Sequence, residues 1–316
     1  MLLHNKETSS LAAELVKACP AAEVAECNSY EGLPEAIARF RPDIVYTVRF
    51  AGSNGFPRDA LFGNDGPQWV ANGGAGTDHF GLWDADIVTV TNAAGVAADM
   101  MAEYVVGAFL HFTLDVPGLI SDQKHRIWRQ RVVRPLKGSS LVIVGLGKTG
   151  QAIALRAKAL GMNVAGTRAR PRQMENIDEV CAPEELSRLL AQADFLAVCA
   201  PLTANSRGLL GDAEFACVKP GAILVDVSRG GVVDQRALVQ ALRSGQIAAA
   251  ALDVFETEPL PANHEFWSRS DVLISPHCSS VYAGWEKASF SLFLDNLKRW
   301  IAGDPLLNTV SPELGY

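Results

Sequence analysis

The chain has 316 residues, 48% of them hydrophobic and 20% charged, and its 28 Lys and Arg set against 35 Asp and Glu leave a net charge of −7. That composition excludes intrinsic disorder and a small disulfide scaffold, and the length predicts two domains, each able to bury its own apolar core. The acidic balance speaks against nucleic acid as a partner, because phosphates demand clustered Lys and Arg; the one dense basic run, 126–134, reads equally as a solvated or interface-lining face.

Residues 1–10 carry neither a basic leader nor an apolar segment, and the longest strongly apolar stretch, around 104–114, is too short to span a bilayer. The expectation is a cytoplasmic protein with no membrane partner. Six cysteines (Cys19, Cys27, Cys181, Cys199, Cys217, Cys278) form no C-x-x-C pair and have no His at zinc-finger spacing, so no metal is expected. Cys199 and Cys278 stand beside the motifs described below, and Cys278 would place an oxidisable thiol near the site.

Short β-branched or apolar runs at 1–4, 24–27 and 43–48 alternate with helical stretches at 11–18 and 33–40, the pattern of parallel βαβ units. Two more strands are predicted at 68–72 and 87–91, followed by a long helix over 97–114. A second series opens with an apolar strand at 141–144, a helix over 147–160 ended by Gly161, and a strand at 163–166. Further strands are predicted at 195–199, 222–227, 248–253 and 272–275, and a last helix over 284–302. Continuous rather than alternating hydrophobicity implies sheets covered on both faces.

Gly145-Leu146-Gly147-Lys148-Thr149-Gly150 follows the 141–144 strand and opens a helix, the context of a G-x-G-x-x-G dinucleotide fingerprint. The first glycine permits the tight turn, the second lets a pyrophosphate approach the backbone, and the third lets helix and strand pack closely; free amides and the helix dipole then hold the phosphates. A P-loop reading fails, since it needs glycine at position 142, where Val142 stands. Folds that select NAD place an acid at the end of the next strand, but here the chain reads Thr167-Arg168-Ala169-Arg170, with no carboxylate before Glu175. Arg168 and Arg170 would bind a 2′-phosphate while Thr167 removes the repulsion of an acid, so NADP(H) is favoured and NAD(H) remains open.

Three segments place polar residues at or just past predicted strand ends: Val227-Ser228-Arg229, Asp253 to Glu258, and Ser275-Pro276-His277. With the run 221–234, the run 251–261, Ile274-Ser275-Pro276-His277, and the amino-terminal signatures Gly74 to His79 and Met101 to Tyr104, the chain closely resembles the D-isomer-specific 2-hydroxyacid dehydrogenase family over nearly its whole length. The chemistry is consistent with that resemblance. Reducing a 2-oxo acid needs a cation to grip the carboxylate and polarise the carbonyl, which suits Arg229. It also needs a proton donor at the developing alkoxide, which suits His277, with Glu258 to orient the ring and stabilise the imidazolium.

The resemblance further implies that the amides of Ala75 and Gly76 hold the substrate carboxylate and that Asp253 hydrogen-bonds the nicotinamide carboxamide, although an Asp ending a strand often only caps a turn. It also implies that Ala200 and Pro201 bracket the adenosine half and that Val227, Ser228 and Met101 lie near the nicotinamide. His79 reads as structural. The segment Val48-Arg49-Phe50-Ala51-Gly52 would shape the substrate pocket with a cationic or aromatic wall.

The expected architecture is therefore α/β, with a Rossmann dinucleotide-binding domain (97–283) inserted into a flavodoxin-like parallel α/β substrate domain (1–96 and 284–316), substrate meeting nicotinamide in a cleft that excludes water on closure. The reaction expected is NAD(P)-dependent hydride transfer at C2 of a small 2-oxo or 2-hydroxy acid, of the glyoxylate or hydroxypyruvate type. A helical arm over 97–136, containing Trp128, would serve as a homodimer surface. The alternative is a dinucleotide-sensing, corepressor-like interaction protein on the same fold. The intact Arg, Glu and His count against it.

Overall fold

The computed structural model describes residues 1–50, 55–63 and 65–315. It divides the chain into two compact units, Met1–Val96 with Tyr282–Tyr316, and Ala97–Val281. The second boundary falls two residues before the expected 283. Ala51 and Gly52 lie outside the described residues.

The first unit runs β1 (Leu2–His4), α1 (Ser9–Ala18), β2 (Ala25–Cys27), α2 (Leu33–Phe40), β3 (Ile44–Thr47), α3 (Arg58–Phe62), β4 (Trp69–Asn72) and β5 (Thr89–Asn92). Its five strands are all parallel in the order β2-β1-β3-β4-β5, the flavodoxin-like arrangement. Residues facing opposite sides of this sheet enter different cores: Leu2, Val45, Val70 and Val90 pack on one face, and Leu3, Ile44, Tyr46 and Trp69 on the other. Two-sided burial is why these strands read as continuous apolar runs.

The second unit opens with α4 (Ala98–Thr113) and α5 (Val116–His125), then β6 (Ser140–Val144), α6 (Lys148–Ala159), β7 (Asn163–Thr167), β8 (Glu179–Cys181), α7 (Leu186–Leu190), β9 (Phe195–Val198), α8 (Asp212–Cys217), β10 (Ala222–Asp226), α9 (Gln235–Ser244), β11 (Ile247–Leu252) and β12 (Val272–Ile274). The parallel sheet has the order β12-β11-β10-β9-β6-β7-β8, a Rossmann sheet extended by one strand. Phe195, buried between α4 and the sheet, meets Phe109 edge-on with centroids 4.9 Å apart; a side chain of this size contributes about 1.5–3 kcal/mol on burial. The chain order reverses between β6 and β9, so ligands are expected beyond the carboxyl ends of those two strands.

The helix expected over 97–114 is α4, and the helical arm expected over 97–136 is made of α4 and α5 and reaches only His125. Asp115 adopts a left-handed conformation (φ +50°), its carboxylate accepts from the Gly118 amide and caps α5, and helix ends at His125. The basic run expected to be a solvated or interface-lining face is largely tied up in ion pairs: Arg129 and Arg131 both bind Asp122, and Arg131 also binds Asp115. Among the described residues, no single helix is long and apolar enough to cross a membrane.

The last helix, α10 (Trp285–Ala302), returns to the first unit, where Phe290, Phe293 and Leu297 pack against Trp69 and Tyr46. Asn308, beyond it, clamps the end of β5: its backbone carbonyl accepts from the Asn92 amide and its carboxamide donates to the carbonyls of Asn92 and Ala94.

Candidate active site

The three residues singled out for catalysis all sit just past the carboxyl ends of adjacent strands: Arg229 after β10, Glu258 after β11 and His277 after β12. His277 adopts a left-handed backbone (φ +52°), and its amide donates to Asp253 O at 2.8 Å, so main-chain bonds fix where the ring emerges. Its Nδ1 lies 2.9 Å from Glu258 Oε2. The carboxylate can only accept, so Nδ1 carries the proton and Nε2 is the ring atom left to exchange one. Glu258 is itself steadied by the Phe255 amide, which donates to Oε1 at 3.0 Å. The loops of Arg229 and Glu258 are in direct contact: a Cβ on Gly230 would stand 1.8 Å from Phe255 O, so only glycine lets the two backbones approach.

Asp253 is almost fully buried and heavily used. Its Oδ1 accepts from Ser275 Oγ (2.5 Å) and the Cys278 amide (2.9 Å), and its Oδ2 from the Ser279 amide (2.9 Å). Capping the turn that presents His277 is thus its visible work. Ser275 spends its proton on Asp253, so Tyr104 donates to Ser275 Oγ, at 2.6 Å. Burial holds the Tyr104 phenol neutral, pushing its pKa up to about 12. Tyr104 ends one amino-terminal signature and Ser275 precedes Pro276-His277, yet nothing in the sequence links positions 104 and 275.

Asp226, the last residue of β10, was not singled out from the sequence. It is buried, with Oδ1 accepting from the amide and hydroxyl of Ser228 at 3.0 and 2.5 Å. Burial raises its pKa from 3.8 to about 7, with the two Ser228 bonds opposing. Val227 and Ser228 are buried beside it, between Asp226 and Arg229. The Arg229 guanidinium donates to Ser228 O at 2.7 Å.

The glycine-rich turn follows β6 as expected. Gly145 has φ +103°, and a Cβ there would stand 2.7 Å from the Ala200 amide, which packs the turn against the segment after β9. A Cβ on Gly150 would strike Gly145 O at 2.3 Å, whereas one on Gly147 would meet nothing within 4 Å. The space over Gly147 and the first-turn amides of α6, at Lys148 and Thr149, form a cradle fit for a pyrophosphate. Thr149 Oγ1 donates to Met101 Sδ at 3.8 Å, placing Met101 at this turn. Pro201 is exposed, with its carbonyl bound by Ser206 Oγ at 2.5 Å.

At the end of β7, Thr167 is buried, Arg168 half-buried and Arg170 exposed. The Arg168 amide is anchored on Cys181 O and its guanidinium reaches Met174 Sδ at 3.6 Å. Neither arginine has a carboxylate partner among the described residues, which suits them to a phosphate.

The environments of Cys199 and Cys278 both favour the thiol over the thiolate. Burial pushes Cys199 up to about 12 while it donates to Gly145 O at 2.9 Å, and burial together with the Asp253 charge raises Cys278. Among the described residues, no group of three or more His, Cys, Asp or Glu could hold a metal.

In the first unit, Ala75 and Gly76 follow β4. Arg49 is exposed at the end of β3, but Phe50 is buried, stacked on Tyr30 at 4.7 Å and tilted against His4 at 4.8 Å; it supports the segment rather than lining an open wall. His79 packs against Phe56 and Phe80, in keeping with a structural role.

The family model for the NAD binding domain of D-isomer specific 2-hydroxyacid dehydrogenases matches residues 106–279. A glyoxylate reductase of Thermococcus litoralis is 34% identical over 237 residues, covering 72% of this chain and 71% of that protein. A D-3-phosphoglycerate dehydrogenase of Methanocaldococcus jannaschii is 29% identical over 296 residues, 92% of this chain but 56% of that longer protein. The crystal structure of a D-isomer specific 2-hydroxyacid dehydrogenase from Xanthobacter autotrophicus Py2, in complex with NADPH and MES, is 31% identical and superposes with a TM-score of 0.84 over 100% of this chain and 99% of that one. The chain belongs to the D-isomer specific 2-hydroxyacid dehydrogenase family.

Proposed function

We propose that the protein reduces small 2-oxo acids of the glyoxylate and hydroxypyruvate type, with NADPH preferred over NADH. The observation that carries this reading is the Glu258–His277 pair at 2.9 Å, with Nε2 left to exchange a proton, one strand away from the Arg229 loop. It sits on a fold whose glycine turn suits a dinucleotide, and the Thermococcus relative is named for glyoxylate while the Xanthobacter structure holds NADPH. When bound, the nicotinamide supplies the hydride that C2 of the oxo acid accepts.

Arg229 grips the carboxylate and draws electron density toward the carbonyl oxygen. The amides of Ala75 and Gly76 are proposed as further donors to the carboxylate. As negative charge develops on the carbonyl oxygen, His277 gives it the Nε2 proton; Glu258 stabilises the imidazolium beforehand and keeps the ring aimed. Asp253 Oδ2 accepts one bond and has a lone pair left for the carboxamide. Arg168 and Arg170 are proposed to hold the 2′-phosphate.

Homodimerisation is proposed through α4, α5 and the segment after them, where Trp128 and Val132 are fully exposed beside Ile127 and Val133. A cytoplasmic location is proposed on the same footing, in keeping with six cysteines that are all unpaired. The test is to follow the near-ultraviolet absorbance of NADPH with glyoxylate, hydroxypyruvate and a panel of longer 2-oxo acids. Turnover of the two small acids supports the reading, and its absence across the panel refutes it.

A further inference from the structure

Asn72 and Asn92 end the neighbouring strands β4 and β5, are direct register partners, and are both buried. Their carboxamides bind three successive carbonyls. Asn72 Nδ2 donates to Gly74 O at 3.0 Å and Gly76 O at 2.8 Å, and Asn92 Nδ2 donates to Ala75 O at 2.7 Å. The Ala93 amide adds a second bond to Gly74 O, and Asn92 is locked by the Ala94 amide on its Oδ1 at 3.1 Å.

In a planar trans peptide the C=O of one residue and the N–H of the next point in opposite directions. Drawing the carbonyls of Gly74, Ala75 and Gly76 toward the two carboxamides therefore turns the amides of Ala75, Gly76 and Thr77 away from them. None of these three amides donates to an acceptor among the described residues. A run of free amides facing one side is a concave anion site built from backbone alone.

We propose that Asn72 and Asn92 are positioning residues that hold the 74–77 loop as a carboxylate-binding nest, and that the Thr77 amide is its third donor. The proposal rests on the reading of the protein as a reductase of 2-oxo acids, since it gives the loop a carboxylate to bind. The two asparagines touch the loop through its carbonyls, so their effect reaches the substrate through the orientation of the amides.

The experiment uses the full chain and the variants Asn72→Asp and Asn92→Asp. Each replaces a donor by an acceptor of nearly the same shape, and Asn92→Asp keeps the acceptor used by the Ala94 amide. The expected result is a rise in KM for glyoxylate of about tenfold in each variant, the size of one lost or repelled hydrogen bond, with kcat at saturation and the Kd for NADPH little changed. Unchanged KM, or kcat falling with KM unaffected, would overturn the proposal.

Hydrogen exchange on the unaltered protein with NADP⁺ and oxalate, an unreactive dicarboxylate, decides the matter if a variant fails to fold. Protection of the amides of residues 75–77 supports the nest, and its absence overturns it. Because oxalate binding needs no turnover, an inactive protein that still shows this protection would separate failure of the proposed function from failure of the nest.

Discussion

His277 Nδ1 and Glu258 Oε2 are 2.9 Å apart, and the second oxygen of Glu258 is held by the Phe255 amide at 3.0 Å, so the pair is tied to the backbone after β11 at one end and β12 at the other. Glu258→Gln keeps the shape and removes the charge that stabilises the imidazolium. We expect kcat for glyoxylate to fall about 10- to 100-fold, part of the rate a positioned acid contributes, with the Kd for NADPH unchanged. Fluorescence titration of NADPH alongside steady-state rates checks this, and wild-type turnover in the variant would show that the carboxylate has no role in the proton step.

Cofactor choice is expected to lie with Arg168 and Arg170 rather than with buried Thr167. An acid placed at position 167 would be desolvated, so the cleaner test is the double variant Arg168→Ala, Arg170→Ala. Losing one or two charge-assisted bonds should lower the ratio of kcat/KM for NADPH over NADH by about 10- to 100-fold, through KM. An unchanged ratio would remove the 2′-phosphate from these residues.

Asp226 makes a prediction about stability and pH. Its folded-state pKa is raised from 3.8 to about 7 by burial, so between those values the folded protein holds a proton that the unfolded chain has released. Stability from this group is therefore present at low pH, declines as pH rises through that window, and is level above it, by an amount on the order of a few kcal/mol. A carboxamide in place of the carboxyl keeps an acceptor for Ser228 without the ionisation. The variant Asp226→Asn should thus gain in urea midpoint relative to wild type at pH 8 and gain little at pH 4, and an equal difference at both values would contradict the assignment.

The chemistry was more legible in the sequence than its scaffolding. Arg229, Glu258 and His277 could be read because each follows an apolar strand and brings a side chain with few other uses. The glycine turn was legible because three glycines at fixed spacing answer to three separate steric demands, and the near contacts at Gly145 and Gly150 account for the first and the third.

Other features depend on which strands become neighbours. Asn72 and Asn92 stand in no motif that the sequence brings forward, and only the β4–β5 register sets their carboxamides on one loop. The link from Tyr104 through Ser275 to Asp253 spans positions far apart in the chain. β8, three residues with only Cys181 buried, lacks the apolar run that marks the other strands.

If His277 delivers the proton to the substrate oxygen, the loss shows in kcat for hydroxypyruvate reduction by His277→Asn, measured beside its Kd for NADPH. With the acid removed, kcat should fall by about 10²- to 10⁴-fold, the contribution of a positioned general acid, while NADPH binds as tightly as to the unaltered protein. Full activity in this variant would contradict that role for His277.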